Sequence, residues 1–232
     1  MDAPLGHRLD RADRHRDAGV EPHRRARLAA RRCSERARVR VARARLLARV
    51  AGDRALSRGP GGWTWFGRER PPFAVEPGPG QESVWDYPRP PRIVPEVREV
   101  VVRAGDVEIA RTRRALRVLE TASPPTFYLP RDDVRMAHLE RAGGVSWCEW
   151  KGAASYWDVV AEGRRHARIA WSYDDPTPAF AGLREHVSFY PAHIACFVAG
   201  VRVAAQPGRF YGGWVTPEIV GPLKGEPGTE GW

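Results

Sequence analysis

VREVVVRAGDVEIARTRRALRVLE, residues 97–120, decides the fold. Val97 to Val102 is a β-branched run, Ala104-Gly105-Asp106 has the composition of a tight turn, and Val107 to Thr112 answers as the second strand of a hairpin. Leu116 to Thr121 and Thr126 to Leu129 read as two further strands, with Ser123-Pro124-Pro125 expected to split them. Val145 to Trp150, Ser155 to Ala161, Ala167 to Ser172 and a last hairpin, His193 to Ala199 with Val201 to Ala205, continue the pattern. Lys151-Gly152, Glu162-Gly163 and Gly200 stand at the bends. Pro130 to Leu139 is expected to hold a short helical turn with Asp132 or Asp133 near its N-terminus, and Thr177 to Leu183 another. Strands spaced about 8–12 residues apart, with few helices, predict a mainly β, antiparallel domain.

Upstream, residues 59–95 are dense in Gly and Pro, which breaks regular elements, yet carry Trp63, Trp65, Phe66, Phe73, Trp85 and Tyr87. That is too much apolar surface to leave in water, so part of this linker should pack on the domain as a strap. The expected organisation is an Arg-rich extension over 1–58, poorly ordered or helical, a Gly/Pro/Trp-rich linker and strap over 59–95, and the β domain over 96–232.

Charge follows the same division. The 232-residue chain carries a net charge of +10, but residues 1–70 hold 19 Arg against 8 acidic residues, while the remainder is close to neutral. A folded part without excess cations argues against a nucleic-acid groove there, and leaves residues 1–58 as the one segment whose charge could meet nucleic acid. The plainer reading of that segment is a solvated tail, or translation begun upstream. No apolar run approaches the roughly 18 residues of a membrane span, and the polar N-terminus lacks a signal segment, so a cytoplasmic protein is expected. Cys33, Cys148 and Cys196 are widely spaced and suit neither a disulfide framework nor a zinc site.

Six stretches carry a family resemblance: GPGQESVWDYPRPP (78–91), RALRVLETASPPTFYLPRDDVRM (114–136), CEWKGAASYWDV (148–159), AWSYDDPTPAF (170–180), HVSFYPAHI (186–194) and PGRFYGGWVTPEIVGPLKGEPGTEGW (207–232). In this order they resemble the bacterial family catalogued as domain of unknown function 427, which also carries a nucleotidyltransferase-like label. The resemblance covers about residues 78–232 and implies an antiparallel fold of the β-tent, or Mss4-like, type. Relatives of that fold bind zinc through CxxC pairs. This chain has no such pair, so neither metal nor any other cofactor is carried over.

The residues themselves nominate a ligand site. Lys151 is one of only two lysines, beside 36 Arg, so a role needing a compact ammonium is worth weighing against that of a surface-turn lysine. If a strand ran through Cys148-Glu149-Trp150-Lys151, alternation would put Cys148 and Trp150 on one face and Glu149 and Lys151 on the other. Glu120, at a strand end, could pair with Lys151 to orient a ligand or move a proton, or could be a solvated edge residue. Tyr128, Tyr156, Tyr173 and Tyr190 with Trp85, Trp157, Trp171 and Trp214 combine large apolar bodies with polar tips; most should be core, and some should line a small-molecule pocket.

Other chemistries lack their signatures. Neither Gly78-Pro79-Gly80 nor Gly212-Gly213 sits in a phosphate-loop frame, Asp132-Asp133 and Asp174-Asp175 are adjacent pairs that diverge in extended chain, and the histidines show no metal-binding spacing. Gly208 to Trp214 and Gly221 to Gly225 are expected outside regular strands, covering a sheet edge or a pocket. The leading expectation is a β-tent module that binds a small molecule through Trp85, Glu120, Tyr128, Lys151, Tyr156, Trp171, Tyr173, Tyr190 and Trp214, with no metal. A nucleotidyltransferase-like enzyme is the alternative, and nucleic-acid contact through the tail the third.

Overall fold

The computed structural model describes residues 65–208, 210–229 and 232. The readings of residues 1–58, and of Trp63, lie outside them.

The strands are β1 (Glu82–Ser83), β2 (Arg92–Glu96), β3 (Val100–Ala104), β4 (Val107–Thr112), β5 (Ala115–Glu120), β6 (Ser123–Pro130), β7 (Leu139–Cys148), β8 (Gly152–Ala161), β9 (Arg164–Ser172), β10 (His186–Phe189), β11 (Ala195–Val198), β12 (Val201–Arg202), β13 (Ala204–Ala205), β14 (Trp214–Val215) and β15 (Ile219–Val220). Seven form one antiparallel sheet in the order β2-β5-β6-β10-β9-β8-β7, and four form another, β12-β11-β3-β4. Two short pairs, β13 with β14 and the parallel β1 with β15, complete an open, mainly β fold.

The hairpins obey their turn chemistry. Ala104 pairs with Val107 across Gly105-Asp106, with Gly105 at φ 58°. A Cβ on Gly105 would stand 2.6 Å from a carboxylate oxygen of Glu162, and that carboxylate accepts the backbone N–H of Asp106. Glu162 and Gly163 both take positive φ at the β8–β9 turn, as a type I′ turn requires.

Three expectations are corrected by packing. Ser123-Pro124-Pro125 lies inside β6 instead of separating two strands, the turn falling at Thr121-Ala122 with Ala122 at φ 70°. The two prolines are tolerated because β10 pairs with β6 only at Leu129 and Pro130, so no ladder donor is required of them on that side. Asp132 and Asp133 cap nothing; Asp133 accepts the Thr112 hydroxyl at 2.6 Å and the Arg114 guanidinium at 2.7 Å. Ala204–Ala205 pairs with Trp214–Val215, which makes short strands within the C-terminal run.

The seven-stranded sheet is buried on both faces, and period-2 alternation sorts its residues between them. Phe127, Leu129, Trp157, Val159, Ala170, Val187 and Phe189 face the main core, shared with Val100, Val102 and Ile109 of the four-stranded sheet. Tyr128, Tyr156 and Trp171 face the other way, into a second cluster with Tyr173, Phe180 and Leu183. A third cluster, Val84, Trp85, Tyr87, Leu119, Ala122 and Ile219, is where residues from the Gly/Pro-rich strap pack.

Asp174, just beyond β9, ties this sheet together at one end. It accepts Arg131 at 2.7 Å, Arg141 at 2.8 Å and the Ser155 hydroxyl at 2.8 Å. Burial alone would raise its carboxyl pKa, but these donors outweigh it and hold the group below the usual carboxylate range. A depressed folded-state pKa adds stability above the unfolded value and loses it as pH falls. Asp174→Asn should therefore unfold at lower urea than wild type at pH 7, with the gap closing as pH drops below about 4. Urea melts across pH check this; a gap independent of pH would refute it.

Candidate functional site

The second cluster lies on a row of cross-strand neighbours. Tyr156 of β8 pairs with Trp171 of β9, and Trp171 with Ser188 of β10. On its other side β10 pairs with β6 at His186–Pro130 and Val187–Leu129, and Tyr128 of β6 pairs with Leu116 of β5. Tyr156, Trp171, Tyr128 and Leu116 thus share one face of the sheet. Ser188 is fully buried and its hydroxyl has no hydrogen-bond partner. Such an orphan costs free energy that native folds usually avoid.

Around this row the rings meet edge to face or tilted. Tyr128 lies 6.2 Å from both Trp171 and Tyr173 between ring centroids, and Trp171 lies 4.3 Å from Tyr190. Tyr156 shares a 2.7 Å hydrogen bond with Ser146 and carries the Arg168 guanidinium 4.2 Å above its ring. Burial lifts the phenols of Tyr128, Tyr173 and Tyr190 above their ordinary range, so each stays a neutral O–H at physiological pH. Half-buried Cys148, Trp150 and Tyr190 form the rim. The C-terminal run closes one side: a Cβ on Gly212 would stand 2.3 Å from the Trp171 ring.

Lys151 enters from the β7–β8 turn. The strand stops at Cys148, so the alternation expected through residue 151 does not hold; the turn swings Lys151 inward, into contact with the cluster that Cys148 and Trp150 flank. Lys151 is 8% exposed, and its ammonium lies 5.9 Å from the Tyr173 ring and 5.7 Å from that of Phe180. Among the described residues no carboxylate comes within 4.0 Å of it. Burial pushes its pKa down, while Tyr128, Cys148 and Glu120 pull it up and the balance lies upward. Tyr128 pulls in full only as an anion, and burial holds it neutral. The ammonium is therefore surrounded mainly by ring faces, phenols and the Cys148 sulfur.

Glu120 acts on Lys151 at longer range. Its nearer partner is the guanidinium of Arg89, at 3.8 Å, a buried side chain that donates to the Thr121 carbonyl at 2.9 Å.

Residues 92–200 match the family model described as Domain of unknown function (DUF427). Over that stretch, just under half of the chain, the protein is similar to this family. No curated protein matches the chain.

The matched stretch runs from β2 to the β11–β12 turn and contains the whole second cluster. It brings together six of the nominated residues: Tyr128, Lys151, Tyr156, Trp171, Tyr173 and Tyr190. Glu120 lies at its electrostatic margin. Trp85 and Trp214 lie outside the stretch and outside the cluster. Trp85 packs in the third cluster, where its ring meets those of Trp65, Phe73 and Trp232, and Trp214 stacks on Phe127 in the main core at 4.7 Å.

Phe180 is part of the second cluster, Arg168 and Ser146 contact Tyr156, and Ser188 pairs with Trp171; none of the four was nominated from sequence. Arg168 is hidden in an Arg-rich chain, and Ser146 and Ser188 acquire meaning only through strand register. Among the described residues, no three His, Cys, Asp or Glu side chains converge as a metal would need. No helix among them is long and apolar enough to cross a membrane.

Proposed function

We propose that this protein is a small-molecule-binding module whose site is the face of the seven-stranded sheet bearing Tyr128, Tyr156, Trp171, Tyr173 and Tyr190, with Lys151 as its cationic anchor and Glu120 behind it. One observation carries the reading: an ammonium is buried among phenols and ring faces without a carboxylate within 4.0 Å among the described residues. Burying a charge costs several kcal/mol unless it is paired, and a charge left in that condition is typical of a site whose partner comes from outside. Aromatic bodies supply contact area, and their hydroxyl tips supply orientation.

The aspartates favour binding over phosphoryl transfer. Asp174 is locked between Arg131 and Arg141, while Asp175 points into solvent beside Arg184, so the pair is not disposed to share metal ions.

Mass spectrometry of small molecules extracted from purified protein tests the reading. A compound enriched on the wild-type chain and lost from Lys151→Met is expected. Equal recovery from both, or none from either, would count against it.

A further inference from the structure

We propose that Cys148 is a peroxide-reactive thiol, oxidised by small hydroperoxides to its sulfenic acid, with the Lys151 ammonium giving a proton to the departing oxygen. This role is separate from the small-molecule reading above, since a hydroperoxide meets the sulfur at the rim of the cluster and needs no seat among the rings.

The β7–β8 hairpin brings the two side chains together. Cys148 ends β7 and pairs with Gly152, the first residue of β8, so Lys151 stands next to the partner of Cys148. Gly152 takes φ 94°, which lets the chain double back, and Thr177 pins the turn: its hydroxyl donates to the Trp150 carbonyl at 2.5 Å and its N–H to the Lys151 carbonyl at 3.2 Å. The Lys151 ammonium is held between the ring faces of Tyr173 and Phe180 and donates to the Cys148 sulfur. Among the described residues no carboxylate within 4.0 Å draws it away. The phenols of Tyr128 and Tyr173, close enough to Cys148 to interact with it electrostatically, are kept neutral by burial and add no opposing charge.

Access separates this sulfur from the other one among the described residues. Cys148 is half-buried and in no disulfide. Cys196 is 1% exposed in the main core, its thiol donates to the Ile194 carbonyl at 3.7 Å, and burial pushes its pKa up. Reactive cysteines sit partly exposed beside cations, whereas those buried in apolar surroundings are inert.

In the step, the thiolate form of Cys148 attacks the terminal oxygen of a hydroperoxide, R–O–OH, with R a hydrogen or a small alkyl group. The S–O bond forms, the O–O bond breaks, and the electron pair leaves on the distal oxygen, so sulfur is oxidised to the sulfenic acid and the peroxide is reduced. The leaving hydroxide or alkoxide takes a proton from Lys151 and departs as water or alcohol, and the lysine amine recovers its proton from solvent. Protonation matters here because hydroxide and alkoxide are poor leaving groups. A halide needs no such help, so the neighbouring ammonium favours peroxides over alkyl halides.

The test treats the full chain with hydrogen peroxide in the presence of dimedone, which traps sulfenic acids, and in a parallel series with iodoacetamide. Peptide-mapping mass spectrometry assigns each adduct to Cys33, Cys148 or Cys196. In the native chain Cys148 should form the dimedone adduct about tenfold or more faster than in the urea-unfolded chain, while Cys196 stays unlabelled. Lys151→Met should slow the peroxide reaction at Cys148 by about tenfold or more and the iodoacetamide reaction by distinctly less. If both reactions slow equally, Lys151 does not deliver the proton and its part is overturned. A native rate at Cys148 no higher than the unfolded one, or adducts at Cys33 alone, overturns the assignment of the reactive thiol. Should Lys151→Met fail to fold, the native to unfolded ratio on the wild-type chain decides alone.

Discussion

Trp214→Ala should lower the stability of the domain by about 3–5 kcal/mol, the range for removing a fully buried large aromatic ring. Trp214 is fully buried, stacks on Phe127 at 4.7 Å with an interplanar angle of 16°, and donates its indole N–H to the Phe189 carbonyl at 2.9 Å. The substitution removes the ring from the main core and leaves a buried carbonyl with one fewer donor. It also frees β14, which is held to β13 by two residue pairs, Ala204 with Val215 and Ala205 with Trp214. Melting should fall by roughly 10 °C for a domain of this size. Trp214→Phe keeps a ring for stacking and loses the indole donor, so its cost should be well under half of that. Calorimetry on both variants checks the ratio; equal losses would show that the hydrogen bond, not the packed ring, holds the C-terminal run to the sheet.

Trp214 lies beyond the stretch similar to that family yet completes the main core. From sequence Trp214 was nominated for the ligand site, whereas it packs in the main core, because composition cannot say which of several clusters a ring joins. Tyr128 and Phe127 are adjacent in the chain and end on opposite faces of one sheet. Strand existence was legible because β-branched runs and turn residues are local signals: the Val100–Ala104 and Val107–Thr112 hairpin follows directly from them. Strand boundaries were less so. The β6 prolines read as a break, and only the position of the neighbouring strand shows why they need none.

The site was legible in its unusual residue and obscure in its ordinary ones. Lys151 stood out because lysine is scarce in an arginine-rich chain, a signal that survives without any structure. Its inward direction did not, since two turn residues between Cys148 and Lys151 reset the alternation. Ser188 carries no sequence signal at all. It stands out only in the fold, as a buried hydroxyl without a partner on the residue that pairs with Trp171.

The chain should gain stability from Lys151→Met, the change that removes the proposed anchor. An ammonium in aromatic surroundings, with the Glu120 charge shared by Arg89, has given up hydration without a close counter-ion. Methionine has a similar reach, no charge to desolvate and favourable sulfur–aromatic contact with Tyr173 and Phe180. Replacing buried charge by apolar groups of like volume is often neutral or stabilising by about 1–4 kcal/mol, and sites strained for binding commonly trade stability for function. Urea unfolding of ligand-stripped wild type and Lys151→Met at pH 7 measures this directly. A midpoint for Lys151→Met above that of wild type, by about 1–2 kcal/mol in free energy, is the predicted result. A midpoint lower by a similar amount would make Lys151 a structural cation already satisfied by its own chain, and would contradict the site.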